Sequence, residues 1–165
     1  MENRKIAVYG IIIATYTAIS LLMGSFSFGM VQIRIAEVLL VLCLYDYKFI
    51  IPVTLGCFVT NLIGLISGMN PLFMDLFIGT IATLISAVCV YYLRNIRYKD
   101  LPLLSLLLPA IINGIFVGAE LAFYFPMNIW ILMAYVGIGE FLSVTVFGLI
   151  IYKPMGRAIE QFFRI

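Results

Sequence analysis

The chain has 165 residues, 64% hydrophobic and 11% charged, with a mean hydropathy of +1.16 and a net charge of +2. A soluble domain carries about 25% charged residues, so this surface cannot face water all round, and at about 20 apolar residues per crossing no separate soluble domain fits beside six spans. The small net charge, with no basic cluster interleaved with aromatics, excludes nucleic acid as a partner.

The pattern predicts one integral membrane domain over 1–165, with spans at about 5–24, 35–46, 49–68, 72–93, 101–125 and 128–152. The first apolar run, 6–23, follows Arg4 and Lys5 but is long for a signal core and is read as a span. Within it Gly10, Ala14 and Ala18 recur every four residues, a small-residue ridge suited to close helix packing, inside the protein or against another membrane subunit. The second run is short for a crossing, and its flanks decide for it: Arg34 on one side, Asp46-Tyr47-Lys48 on the other. Pro52, Pro71, Pro102, Pro126 and Pro154 are placed near span ends, and Pro109 inside the fifth span should bend it. Cys43, Cys57 and Cys89 fall in apolar runs without metal spacing and read as packing thiols; the chain has no histidine. After Tyr152 the tail 153–165 sets Met155, Ile159, Phe162 and Phe163 among Arg157, Glu160 and Arg164, the pattern of a short amphipathic helix on a membrane surface.

Basic residues orient the spans. With a cytoplasmic N-terminus, Arg4, Lys5, Lys48, Arg94, Arg97, Lys99, Lys153, Arg157 and Arg164 are inside and Arg34 alone is outside, nine against one. The predicted fold is an all-α, six-helix transmembrane bundle with both termini cytoplasmic. The outer loops are then 25–33, 67–70 and 125–128, the first long enough to serve as a lid carrying Phe26 and Phe28.

An ionised side chain at the bilayer centre costs about 2.5–3.5 kcal/mol on insertion scales, so each needs a reason. Arg34, Glu37, Asp75, Glu120 and Glu140 lie in or beside spans, with Gln32, Asn61 and Asn113, and most map to the outer half. Arg34 and Glu37 are three apart and can pair on one helix face, while Asn113 and Glu120 are two turns apart on another. Four acids face one arginine, so three carboxylates are protonated, wet, or matched by a cationic or donor-rich ligand. The plainer reading is that these groups only hold helices together.

The stretch Val31-Gln32-Ile33-Arg34-Ile35-Ala36-Glu37-Val38-Leu39 resembles the Q-x-R-x-x-E signature of the QueT family, substrate-binding S components of energy-coupling factor transporters. Gly56-Cys57 with Asn61-Leu62, Asp75 followed by Gly79-Thr80-Ile81-Ala82-Thr83-Leu84, and Gly139-Glu140 extend the resemblance along nearly the whole chain. It implies a multi-pass protein of a bacterial cytoplasmic membrane that binds a queuosine precursor, a 7-deazaguanine base such as prequeuosine base or queuine. It further implies a transmembrane coupling subunit and two cytoplasmic ATPases as partners, with Ala14 and Ala18 in the dock. No phosphate-binding G-x-x-x-x-G-K-[ST] loop occurs in the chain, so ATP would be used by those partners and no cofactor is expected here.

The residues suit such a solute. A carboxylate accepts the ring N–H and exocyclic amine of a deazaguanine together, and a second carboxylate meets the cationic arm of prequeuosine base. Asp75, Glu120 and Glu140 are the expected acceptors, with Arg34 and Glu37 anchoring the pocket mouth. Arg34, Gln32 or Asn61 would donate to the ring carbonyl, and Phe26, Phe28 or Tyr124 would stack on the ring. Two other readings stand beside it: an S component for another nucleobase-like or vitamin-like solute, and a small proton-coupled carrier using Asp75, Glu120 or Glu140 as relay. An enzyme is not expected, since neither Ser–His nor His–metal chemistry is available without histidine.

Overall fold

The structure, a computed structural model, describes residues 2–29 and 31–163. Of the residues singled out above, Arg164 and the side chains of Arg4, Glu160, Phe162 and Phe163 lie outside what is described. In chain order come α1 (Glu2–Met23), a 3₁₀ helix (Ile35–Leu44), α2 (Ile50–Ser67), α3 (Ile78–Leu93), α4 (Leu103–Tyr124), α5 (Ile129–Glu140) and α6 (Phe147–Phe163). There is no strand among the described residues, only a single bridge, Tyr98 to Leu101, that closes the loop before α4.

Five segments are long and apolar enough to cross a bilayer, Lys5–Met23, Tyr47–Ser67, Phe73–Leu93, Leu103–Tyr124 and Ile129–Ile159, and Ile35–Leu44 is a shorter apolar helix. Their outward faces are apolar: Ile11, Leu22, Ile66 and Ile150 are all exposed. Side chains of this kind suit lipid, where outward apolar surface carries no penalty and helices associate through packing and polar contacts within.

The second segment is where the structure departs most from the sequence pattern. It is a 3₁₀ helix of ten residues, long for that geometry. At about 2.0 Å of rise per residue it advances about 20 Å, against about 15 Å for the same residues in an α-helix. The entry loop that precedes it runs alongside α5. Its Val31 and Gln32 carbonyls lie where a side chain at Gly139 would begin, so only glycine lets the loop backbone pass there. Gly139 is about 15 Å along α5. Irregular backbone at that depth is tolerated only where it is buried in protein or lines a cavity.

Two other boundaries shift. Asp75 sits on a short 3₁₀ turn (Phe73–Leu76) that opens the long apolar segment Phe73–Leu93, so α3 itself begins only at Ile78. The tail is not a separate surface helix either. A π-helical stretch (Phe141–Val146) joins α5 to α6, and α6 runs unbroken to Phe163 with Pro154 inside it. The physical reason is packing: Met155 and Ile159, partly buried, rest against the buried cluster that contains Ile12, Leu42 and Phe49. The same contacts bring the N-terminal half of α1 beside the C-terminal half of α6. The start of α1 and the end of α6 therefore lie toward the same end of the bundle.

Candidate solute-binding site

Toward the other end, buried polar side chains converge on Arg34. Arg34 caps the 3₁₀ helix with non-helical backbone (φ −92°, ψ 77°), which throws its side chain off the helix face. It therefore does not pair with Glu37, as their spacing suggests. Its Nη2 lies 2.5 Å from Asp75 Oδ2, with both side chains buried. Asn70 Nδ2 donates to the same oxygen at 2.8 Å, and Asn61 Nδ2 donates to the Asp75 backbone carbonyl at 2.8 Å. Asn70 also holds its own turn by accepting from Leu72 N at 3.0 Å. Four segments are thus tied at one residue, Asp75: the entry loop and the α2–α3 loop at its carboxylate, α2 at its backbone carbonyl, and the turn before α3 that carries it.

Glu37 is completely buried and does not sit at a pocket mouth. Its Oε1 accepts from the Tyr16 hydroxyl at 2.5 Å and from Thr83 Oγ1 at 2.7 Å, linking α1, the 3₁₀ helix and α3. Cys57 is more than a packing thiol: its sulfur accepts weakly from Asn61 Nδ2 at 3.7 Å and lies 3.3 Å from Thr83 Oγ1, whose one proton goes to Glu37. Glu120 on α4 lies within electrostatic reach of Arg34 and Asp75, and Glu140 on α5 within reach of Arg34, Asp75 and Glu37. The four acids and the arginine, far apart in sequence, form one group.

This group holds more hydrogen-bonding capacity than the protein uses. Both oxygens of Glu120, one each of Glu37, Asp75 and Glu140, both amide atoms of Gln32, Asn61 Oδ1 and Arg34 Nε are buried without a protein partner. Native interiors leave few such atoms, and several in one place point to water, an ion or a ligand. Gln32 is the most exposed to this argument, being buried with left-handed backbone (φ 43°) and both amide ends free. Five unpaired carboxylate oxygens against two unpaired nitrogen donors make the region rich in acceptors.

Not every expected residue joins the group. Asn113 donates to the Pro109 carbonyl of its own helix at 3.1 Å and to Ser86 Oγ on α3 at 3.5 Å, so its amide nitrogen ties helices together. Asn61 has likewise committed its donor, and offers only its carbonyl oxygen. Phe28 is buried, with its ring against Gly64, whereas Phe26 is 63% exposed on the surface. Beside Phe28 runs a crevice with no room for a water, lined also by Tyr16, Ser20, Ser27, Arg34, Thr60 and Asn61. Gly10, Ala14 and Ala18 are exposed on α1, which decides that the ridge does not pack within this chain.

Tyr16, Asn70 and Thr83 were not singled out from the sequence. Asn70 before Pro71 carried a turn signal that points to its role, whereas a tyrosine or threonine in an apolar span looks like many others. Among the described residues no group of three or more potential metal-ligating side chains is found.

The family model described as QueT transporter matches residues 6–157 of the chain. No curated protein and no solved structure matches it.

Proposed function

This chain belongs to the QueT transporter family, and from that premise we propose that it is the substrate-binding S component of an energy-coupling factor importer for a queuosine precursor. It captures a 7-deazaguanine base outside a bacterial cytoplasmic membrane and delivers it inward, with both chain termini cytoplasmic. A transmembrane coupling subunit and two ATPases supply the drive, and the exposed Gly10, Ala14 and Ala18 ridge is where the coupling subunit packs.

The observation that carries the substrate reading is the buried excess of acceptors around Arg34. Four carboxylates against one guanidinium suit a ligand that brings donors and positive charge. A deazaguanine brings a ring N–H and an amino group on one edge, and prequeuosine base adds a cationic aminomethyl arm. One carboxylate among Glu120, Glu140 and Asp75 takes the paired donors, and another takes the arm. With the Asn61 donor committed, the Gln32 amide is the donor best placed to serve the ring carbonyl. Phe28, which lines a crevice with Arg34 and Asn61, is the aromatic we assign to stack on the ring.

Calorimetric titration of the purified full chain with prequeuosine base and queuine, with guanine, riboflavin and thiamine as controls, tests the reading. One-to-one binding of a deazaguanine with silent controls is expected. Binding of a control alone would discard the substrate and keep the transporter. Silence toward all five, in protein that unfolds cooperatively, would discard both the substrate and the acceptor argument. Glu140→Gln and Asp75→Asn together remaining within twofold of the unsubstituted affinity would remove these acids from the site.

A further inference from the structure

We propose that the hydrogen bond from Tyr16 to Glu37 transmits docking on the outer face of α1 to the solute site, an inference that rests on the S-component reading above. The two faces of α1 look in opposite directions. Gly10, Ala14 and Ala18 lie on the exposed face, and nothing stands within 4 Å of where a Gly10 side chain would begin. Tyr16 is two residues from both alanines, about 200° around the helix, and is 1% exposed.

Its ring is seated on the backbone of α2. A side chain at Gly56 would begin 2.8 Å from Tyr16 Cβ and 2.9 Å from Cγ, so only glycine allows this approach. The hydroxyl at the far end reaches Glu37 Oε1, which it shares with Thr83 of α3. Glu37 in turn stands three residues from Arg34, and its Oε2 has no protein partner.

The consequence of moving α1 follows from these distances. A helix pressed onto the ridge displaces α1, and the phenol is drawn from a hydrogen bond of 2.5 Å. Glu37 is left buried with Thr83 as its donor, and an uncompensated buried carboxylate competes for the nearest cation. That cation is Arg34, whose pairing with Asp75 ties the entry loop to the turn before α3. Loosening that pair releases the frame around the solute. A bound solute that keeps Arg34 on Asp75 opposes docking to the same extent, since coupling between two sites is reciprocal. Tyr16 is a positioning residue in this scheme and need not touch the solute.

The test is a ratio of affinities for prequeuosine base, measured on the full chain alone in nanodiscs and assembled with the coupling subunit and ATPases. In the unsubstituted protein the two affinities should differ by about 5–150-fold. In Tyr16→Phe the ratio should fall below about twofold, the uncoupled limit in which docking no longer biases binding. Thr83→Val removes the other donor to the same oxygen, but from α3, and should keep the ratio. A general loss of folded protein would weaken both measurements and leave their ratio unchanged. If Tyr16→Phe retains the full ratio, the inference is overturned while the S-component reading stands. Failure of the unsubstituted chain to bind the base or to assemble would overturn that reading itself. Should Tyr16→Phe not fold, Glu37→Gln, which removes the charge and keeps an acceptor for the phenol, should also lose the ratio; a retained ratio there overturns the inference equally.

Discussion

The 3₁₀ helix divides the molecule into two regions built on opposite terms. Its capping residue Arg34 and its first-turn Glu37 belong to a region crowded with unpaired polar atoms, whereas Leu40, Val41, Leu42, Cys43 and Leu44 are buried in a wholly apolar one. In the apolar region Val53, Val90, Leu106 and Val144 close around these residues from α2, α3, α4 and the π-helical stretch. Six residues separate Arg34 from Leu40, yet one end of the helix is held by packing and the other by ion pairing around unfilled capacity. The difference teaches that this fold stores its stability on the side of the chain termini. The polar side can then carry groups that a stable interior would avoid.

The largest effect should come from the ion pair at the centre of the polar region. Arg34→Met leaves Asp75, Glu37, Glu120 and Glu140 without any cation, and removing one partner of a buried pair costs about 3–5 kcal/mol. Thermal unfolding in detergent should show a drop large enough to compromise folding. Replacing both partners, Arg34→Met with Asp75→Leu, should recover much of the lost stability while abolishing solute binding. A double variant no more stable than the single one would mean that Asp75 is held by Asn70 alone and that the comparison is drawn at the wrong pair.

Leu40→Ala probes the other region. Leu40 is completely buried beside Val41 and Cys43, and truncating a buried leucine costs about 2–5 kcal/mol. The expected signature is a lowered unfolding temperature with prequeuosine-base affinity changed less than threefold in protein that remains folded. Loss of affinity in step with stability would show that the two regions are not separable.

How much of this was legible in the sequence differs between the regions for the same reason. Apolar runs of 19 to 31 residues are a composition signal and announce themselves, which is why the long helices match the spans read from hydropathy. The 3₁₀ geometry of Ile35–Leu44 was not legible, because local propensity does not encode how deep the entry loop dives. That depth is set by Gly139, a hundred residues away. Arg34 and Glu37 looked like a pair because helical spacing was assumed up to Arg34, and the non-helical cap sends the guanidinium to Asp75 instead. That Arg34, Glu37, Asp75, Glu120 and Glu140 cluster was legible, since each was an ionisable residue out of place. Which of them touch was decided by packing, and the neutral members Tyr16, Thr83 and Asn70 carried too ordinary a signal to be chosen.

Gly139→Ala sharpens the comparison from the loop side. An added methyl group would strike the Val31 and Gln32 carbonyls, and overpacking of this kind costs about 1–3 kcal/mol. Because the displaced residue is Gln32, affinity should fall further than stability. Calorimetry at a temperature well below unfolding separates the two. Equal affinities before and after substitution would place Gln32 outside the site.

Glu120→Gln should have the smallest effect on the fold and the most telling sign. Both Glu120 oxygens are buried without a hydrogen-bond partner, so an ionised group there is desolvated and offset only by the more distant charge of Arg34. An amide of the same shape removes that charge, and the solitary protein should unfold at the same temperature or a few degrees higher. Binding should move the opposite way. A hydrogen bond to a charged group contributes about 1.5–3 kcal/mol, and each 1.4 kcal/mol is tenfold, so affinity for prequeuosine base should fall by about tenfold or more. A variant that gains stability and loses solute places Glu120 on the functional side of the divide. One that loses stability and keeps its solute would make the carboxylate a structural group, and the region around Arg34 would then differ from the apolar one in chemistry but not in purpose.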